Sequence, residues 1–183
     1  MSLHSRRTVI VRFLQSLSAP LVALVPFLNA QEAAAATKAL DPAWDLSEAE
    51  WKKRLSPAAF AVLRQEGTER PFSSPLNQEH RNGTFVCAGC KLPLFSSKAK
   101  FDSGTGWPSF WQPLSNAVVT KVDFKLIVPR SEYHCRRCGG HQGHVFNDGP
   151  RPTGKRYCNN GVALEFIPGL DYPAHSAQGD LVA

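Results

Sequence analysis

The sequence offers no apolar stretch suited to crossing a membrane. Its one mildly apolar run, from Phe13 to Leu28, is broken by Gln15, Ser16, Ser18 and two prolines, whereas a spanning helix needs about 20 consecutive, mostly apolar residues. There is no internal repeat beyond two Cys-x-x-Cys units and no low-complexity tract apart from the alanines at 33–36, which sets repeat architectures and biased disordered segments aside. Excess charge is small. The formal net charge is +6, but Arg6, Arg7 and Arg12 supply three of the 21 basic residues; without them 18 stand against 15 acidic residues, or +3. That is weak ground for a polyanion, and no nucleic-acid partner is expected. Cysteine is scarce as well: there are five, four in two pairs and one left over. A chain of 183 residues with 43% hydrophobic content buries a single-domain core without disulfide staples.

What is present begins with an address. Ser5-Arg6-Arg7 precedes the apolar run, and small residues follow it at Ala30 and Ala33–Ala36. Basic, then apolar, then small is the order of a signal peptide, and the adjacent arginines favour the twin-arginine type. Residues 1–36 are therefore read as a leader and the protein as exported, periplasmic in a bacterium. A general-secretory signal and a retained membrane anchor remain as alternatives, and stable membrane insertion is not expected. Ala30 and Ala34 to Ala36 all qualify at the scissile bond.

Residues 37–45 read as a linker, 46–172 as the domain and 173–183 as a tail. Ser47-Glu48-Ala49-Glu50 predicts a capping box, opening a short helix with Trp51 and Leu55 on one face. Ser56-Pro57 predicts a second helix, capped by the serine and started by the proline, with Phe60 and Leu63 facing inward and Gly67 as its stop. Helical periodicity then disappears. Short runs broken by Gly, Pro and Asn follow, at 84–87, 118–119, 124–128, 133–135 and 162–167. Alternation and frequent turns predict a mainly β, compact antiparallel domain.

Cys87-Ala88-Gly89-Cys90 and Cys135-Arg136-Arg137-Cys138-Gly139 share one spacing. Two thiolates three positions apart around a tight turn face one ion, and two such turns complete a tetrahedral site of four sulfurs. Gly89 and Gly139 offer the backbone freedom for those turns. Zinc suits four soft ligands without redox chemistry, and such a closed site is structural. Two disulfides, favoured by export, and thioredoxin-like redox pairs are the competing readings.

Cys158 lies in Lys155-Arg156-Tyr157-Cys158-Asn159-Asn160-Gly161. Cysteine reacts as thiolate, and nearby positive charge lowers its pKa; Lys155 and Arg156 are close in sequence. His141 and His144, in His-Gln-Gly-His-Val-Phe, are candidates to fold beside it, which would make a thiol nucleophile with a base. An inert core cysteine, and histidines that are structural or bind a second metal, fit the same residues.

The series as a whole goes further. Arg70-Pro71-Phe72, Cys87-x-x-Cys90, Phe101-Asp102-Ser103-Gly104-Thr105-Gly106-Trp107-Pro108-Ser109-Phe110, Cys135-x-x-Cys138, Gly140-His141-Gln142-Gly143-His144-Val145-Phe146, Asp148-Gly149-Pro150 and Arg156-Tyr157-Cys158-x-Asn160 occur in this order. Across about residues 45–169 the chain resembles the methionine-R-sulfoxide reductase B family. The resemblance implies an antiparallel β fold, a structural zinc remote from catalysis and Cys158 as nucleophile. His144, Asn160, His141 and Glu132 are then the catalytic partners. Trp107, Val145 and Arg156 form the substrate side, with the indole of Trp107 as a wall for the substrate methyl. Attack at the sulfoxide of an oxidised methionine, free or in a protein, would leave a sulfenic acid on Cys158. Only the R epimer should react. Two departures stand out. Thr105 occupies the position of a resolving cysteine in many relatives, so a thioredoxin-like protein, glutathione or another thiol would have to attack Cys158 directly. Gln142 stands where the family usually has leucine, with no consequence expected.

Two other functions compete on the cysteine pairs alone. One is a zinc ribbon that binds nucleic acid through Arg136 and Arg137. The other is a zinc-folded interaction domain with a dead site. The small charge, the leader and the fifth cysteine argue against the first.

Overall fold

A computed structural model describes residues 41–123, 130–170 and 172. The leader at 1–36, residues 37–40 of the linker, the run at 124–128 and the tail at 173–183 lie outside the described residues. Among the described residues no helix is long and apolar enough to cross a membrane.

Helix α1 (Glu48–Arg54) starts on the expected capping box. The Ser47 hydroxyl accepts from the Glu50 amide, and the Glu50 carboxylate accepts from the Ser47 amide at 2.8 Å. Acidic residues fill its first turn and basic ones its last, complementing the helix dipole. Helix α2 (Pro57–Gln65) is capped by Ser56 and buries Ala59, Phe60, Val62 and Leu63. It ends one residue before the expected stop. Glu66, not Gly67, takes the left-handed conformation at φ 56, and Lys121 holds its carboxylate at 2.7 Å. Residues 42–44, within the stretch read as linker, form a 3-10 turn that stacks Trp44 on Trp51.

The rest is antiparallel sheet. β1 (Gly83–Cys87) is central in a three-stranded sheet between β2 (Pro93–Ser96) and β9 (Leu164–Pro168). A six-stranded sheet runs β3 (Lys100–Phe101), β4 (Ser109–Phe110), β8 (Arg156–Asn159), β7 (His141–Phe146), β6 (Arg130–Cys135), β5 (Val118–Asp123). The antiparallel β expectation holds. The run at 162–167 is shorter as a strand than expected, because residues 161–163 turn as a 3-10 helix first. Aromatic rings join the two sheets: Phe95 stacks on Phe110 at 4.2 Å, Phe85 meets Phe110 edge-on at 4.9 Å, and Phe95 meets Tyr133 edge-on at 6.1 Å.

Candidate active site and metal centre

The two knuckles hang from different sheets. Cys87 ends β1 and Cys135 ends β6, and all four cysteines are buried. Cys87 and Cys138 Sγ lie 3.7 Å apart, Cys90 and Cys135 Sγ 3.5 Å, and all four sulfurs fall within 4.8 Å of one another. A disulfide needs about 2.05 Å. Four thiolates around an ion at about 2.3 Å stand about 3.8 Å apart by tetrahedral geometry. The four cysteines are therefore positioned to hold a metal ion, which would clamp one sheet to the other.

The turns use a different residue from the one expected. Lys91 and Gly139 hold equivalent positions, each just after the second cysteine of its knuckle, and each is left-handed, at φ 59 and φ 67. Each amide donates to the carbonyl of the first cysteine, at 2.8 and 2.9 Å. Gly89 does not have a positive φ. One knuckle thus carries its left-handed residue as glycine and the other as lysine.

Cys158 lies at the centre of a cross-strand row. It pairs with Ser109 of β4 on one side and His144 of β7 on the other; His144 pairs with Glu132 of β6, and Glu132 with Lys121 of β5. Opposed residues point to one face, so this register aligns the thiol with an imidazole, a carboxylate and an ammonium. The close approach of β7 and β8 requires glycine at 143, where an added Cβ would sit 1.9 Å from the Cys158 carbonyl oxygen.

Half-buried Cys158 floors a cleft of about 200 Å³ with Thr68, Trp107, Arg130, Gly143, His144, Phe146, Asn159 and Asn160. That is below the roughly 300–1,000 Å³ of pockets for drug-sized ligands and suits one unbranched side chain. The Trp107 indole N–H donates to the Glu69 carbonyl at 3.1 Å. The Glu69 amide donates to Asn160 Oδ1 at 3.0 Å, and Asn160 Nδ2 donates to the Gln142 carbonyl at 2.9 Å. The Glu69 carboxylate accepts the amides of Gly161 and Val162 at 2.5 and 3.0 Å. Glu69 therefore fixes both the indole wall and Asn160, which keeps a second amide hydrogen.

His144 Nε2 meets Asp123 Oδ2 at 2.9 Å, and Arg130 holds the same carboxylate at 2.8 Å. This buried acid orients the imidazole, whose other nitrogen is left for the cleft. Sequence reasoning missed Asp123, Arg130 and Glu69, because none sits in a patterned motif and β5 joins the site only through register.

Positive charge does not decide the state of the thiol. Burial raises the Cys158 pKa, and Arg156 and the Thr105 hydroxyl, within hydrogen-bond reach, pull it back only in part. Arg156 is itself engaged: it forks onto Asp148 at 2.9 and 2.8 Å and lies over the Phe146 ring at 4.4 Å. Lys155 bonds Asn147 instead. The expectation of a thiolate stabilised by neighbouring cations is corrected, because desolvation outweighs them.

Of the residues singled out from sequence, the fold brings Cys158, His144, Asn160 and Trp107 to the cleft. Arg156 stays beside the sulfur without lining it. Val145 alternates to the opposite face and packs on the core. Glu132 and His141 are buried behind His144, Glu132 Oε2 lying 3.1 Å from His141 Nδ1. Gln142 has a larger part than expected. Fully buried, it donates from Nε2 to Cys87 Sγ at 3.4 Å, and its Oε1 accepts from Asn159 Nδ2 at 3.4 Å. One amide thus spans the metal centre and the residue next to Cys158.

A family model described as the SelR domain matches residues 55–168. The chain belongs to the SelR family. SelR relatives include the peptide methionine sulfoxide reductase B1, chloroplastic, of Arabidopsis thaliana, 54% identical over 121 residues, which cover 66% of this chain and 60% of that protein. The peptide methionine sulfoxide reductase MsrB of Bradyrhizobium diazoefficiens is 53% identical over 138 residues, covering 73% and 97%. That of Leptospira interrogans is 52% identical over 121 residues, covering 66% and 92%. The chain thus spans 60% of the plant protein and nearly all of the bacterial ones. The resemblance read from the ordered motifs is borne out.

Proposed function

We propose that this SelR protein reduces methionine-R-sulfoxide, in proteins and as the free amino acid, and so repairs oxidative damage. The observation that carries the reading is Cys158, the one cysteine outside the metal cluster, on the floor of a side-chain-sized cleft with His144, Trp107 and Asn160. The relatives' names support it.

The sulfoxide enters with its methyl against the indole. The Cys158 sulfur attacks the sulfoxide sulfur, and the oxygen receives protons and hydrogen bonds from His144 and Asn160. Oxygen passes to Cys158: methionine leaves and the thiol becomes a sulfenic acid. One external thiol then displaces water to form a mixed disulfide, and a second releases Cys158 and carries away a disulfide. The sum is sulfoxide plus two thiols to sulfide, disulfide and water. The reductant acts directly on Cys158 because Thr105 holds the position of a resolving cysteine; thioredoxin-like proteins and glutathione are of the right class. The only methionine in the chain is Met1, so the domain carries no residue open to the same damage.

Zinc is the ion for the four cysteines: a tetrahedral all-thiolate set suits it, and it takes no part in the redox cycle. The leader directs export by the twin-arginine route to the periplasm, which moves proteins already folded around their metal. Changing Arg6 and Arg7 to Lys should leave unprocessed precursor in the cytoplasm; normal export would point to the general secretory route.

The reaction is tested with the R and S epimers of a methionine sulfoxide peptide and dithiothreitol. Turnover of the R epimer alone is expected. Oxidised enzyme without reductant should trap a sulfenic-acid probe on Cys158. Equal use of the S epimer, or a disulfide from Cys158 to any clustered cysteine, would overturn the scheme.

A further inference from the structure

Three hydroxyls lie in a row beside the reacting sulfur, and the scheme above gives their hydrogens no role. Ser109 is the cross-strand partner of Cys158, and opposed residues share a face with Cβ atoms about 5 Å apart. Ser109 Oγ lies 2.8 Å from Ser103 Oγ, which lies 2.8 Å from Thr105 Oγ1. The Thr105 hydroxyl in turn reaches the Cys158 sulfur. The loop is shaped to close this row. Gly104 and Gly106 flank Thr105 in left-handed conformations, at φ 70 and φ 90, and the Gly104 amide donates to Asp102 Oδ1 at 2.9 Å. The chain doubles back, so the Thr105 side chain meets Ser103.

Each hydroxyl has one hydrogen and two lone pairs, so the direction of the row can be counted. Ser109 donates to the Trp107 carbonyl at 3.1 Å, and a carbonyl only accepts. Ser109 therefore accepts from Ser103. The one hydrogen of Ser103 is then engaged, so Ser103 accepts from the Thr105 hydroxyl, as it does from the Thr105 amide at 3.4 Å. Thr105 is left with lone pairs toward the sulfur, which suit an S–H or an S–O–H hydrogen. Donation to a thiolate, which lowers the Cys158 pKa, requires all three hydrogens to turn over, and the Trp107 carbonyl then loses its donor. The row has two directions, and the charge on the sulfur selects between them.

Resting on the reading of Cys158 as the thiol that takes the sulfoxide oxygen, we propose that Ser103, Thr105 and Ser109 act as a reversible hydroxyl relay. It donates to the thiolate before attack and accepts the hydroxyl hydrogen of the sulfenic acid afterwards. Thr105 touches the reacting sulfur and is a catalytic residue; Ser103 and Ser109 are positioning residues. A hydrogen bond accepted from the neutral sulfenic acid disfavours its ionised form. The ionised form is the nucleophile for further oxidation to sulfinic acid, which thiols do not reverse. The neutral acid releases its oxygen as water when an external thiol attacks. The relay keeps the oxidised enzyme reducible while it waits for that thiol, a need created by threonine in the position of a resolving cysteine.

Hydrogen peroxide makes the sulfenic acid without any sulfoxide, so the test stands apart from the activity. Full-length, metal-loaded protein is treated with peroxide. The thiolate takes one oxygen and water leaves; a second peroxide then takes the ionised sulfenic acid to sulfinate. Mass spectrometry of Cys158 follows this second step. Thr105→Val should speed it by about threefold to tenfold, the worth of one neutral hydrogen bond, and slow alkylation of the reduced thiol by iodoacetamide at pH 8. Thr105→Ser should restore both rates. Ser103→Ala removes no contact to the sulfur, and it should move both rates in the same directions by less. It decides the matter if Thr105→Val fails to fold. His144 and Arg156 beside the sulfur are the same in every variant. A second step unchanged in Thr105→Val and Ser103→Ala, or Thr105→Ser behaving like Thr105→Val, would overturn the relay. Wild-type protein that shows the protected sulfenic acid but leaves methionine sulfoxide intact would overturn the reading of the reaction and leave the relay at the sulfur standing.

Discussion

The clustered cysteines and Cys158 are one functional group in two settings, linked through the buried amide of Gln142, which bonds Cys87 on one side and Asn159, the neighbour of Cys158, on the other. Four sulfurs sit in the core at 3.5 to 3.7 Å across the pairs, a spacing that suits a shared cation. Cys158 sits alone at the bottom of an open cleft, and its chemistry is set by what reaches it from outside. Burial raises its pKa despite the nearby guanidinium. Spacing along the chain creates the first environment; register across five strands creates the second.

The largest effects should separate the two settings completely. Cys138→Ser should unfold the domain, because the ion's binding free energy is folding free energy, roughly 10–16 kcal/mol in zinc-finger peptides. Cys158→Ser should abolish sulfoxide reduction while leaving metal content and thermal unfolding unchanged. Activity surviving in Cys158→Ser, or a Cys138→Ser protein with native stability, would erase the distinction.

A smaller effect concerns the protonation of Cys158. With the pKa raised, the thiolate is a minor species at neutral pH, and its fraction climbs about tenfold per pH unit until the pKa is passed. Alkylation of the free enzyme by iodoacetamide should therefore still be rising at pH 8. Arg156 pulls the pKa down, so Arg156→Gln should push it further up and slow alkylation at pH 8 several-fold. A plateau reached below pH 7 would mean that the guanidinium outweighs desolvation after all.

The same contrast explains what could be read before the fold was known. The cysteine pairs, the capping box at Ser47 and the serine cap at Ser56 are local, and they were legible because three or four residues suffice to define each. Trp107, His144, Cys158 and Asn160 were legible through the ordered motifs. Asp123 and Glu69 were not: an acid at a strand end or in a loop has no signature, and its meaning comes from lying across the sheet from His144 or beneath the Trp107 indole. Lys155 and Arg156 were misleading for a related reason. Nearness in sequence said nothing of Asp148 and Asn147, which occupy them, nor of the desolvation that offsets them.

Gln142 offers a way to test the link between the settings. Gln142→Leu removes the N–H to Cys87 sulfur and the acceptor for Asn159, while Asn159 keeps its bonds to Tyr133 and the Asn160 carbonyl. Loss of an outer contact to a metal ligand typically costs 10–100-fold in affinity. Metal release to a chelator should accelerate by about tenfold, with kcat for sulfoxide reduction changed less than twofold. A fall in kcat without faster release would place the amide's role at Cys158 rather than at the metal.

The smallest effect compares the knuckles with each other. Lys91 and Gly139 occupy equivalent left-handed positions with matching backbone bonds, yet only one is glycine. A side chain in this conformation costs roughly 1–2 kcal/mol, which Lys91 already bears and Gly139 avoids. Gly139→Ala should therefore destabilise the metal-loaded protein by about 1 kcal/mol or more, whereas Lys91→Ala should be nearly neutral, because both residues have a Cβ. Lys91→Gly relieves the strain. Against that stand the entropy of a new glycine, about 0.5–1 kcal/mol, and the loss of a solvent-exposed ion pair with Glu165, a kind of contact worth at most about 1 kcal/mol. Its net effect should lie within about 1 kcal/mol of zero. Thermal unfolding of the three variants at fixed zinc concentration measures the set. Equal losses for Gly139→Ala and Lys91→Ala would mean that the turns tolerate the left-handed residue differently from what their shared hydrogen bonding implies.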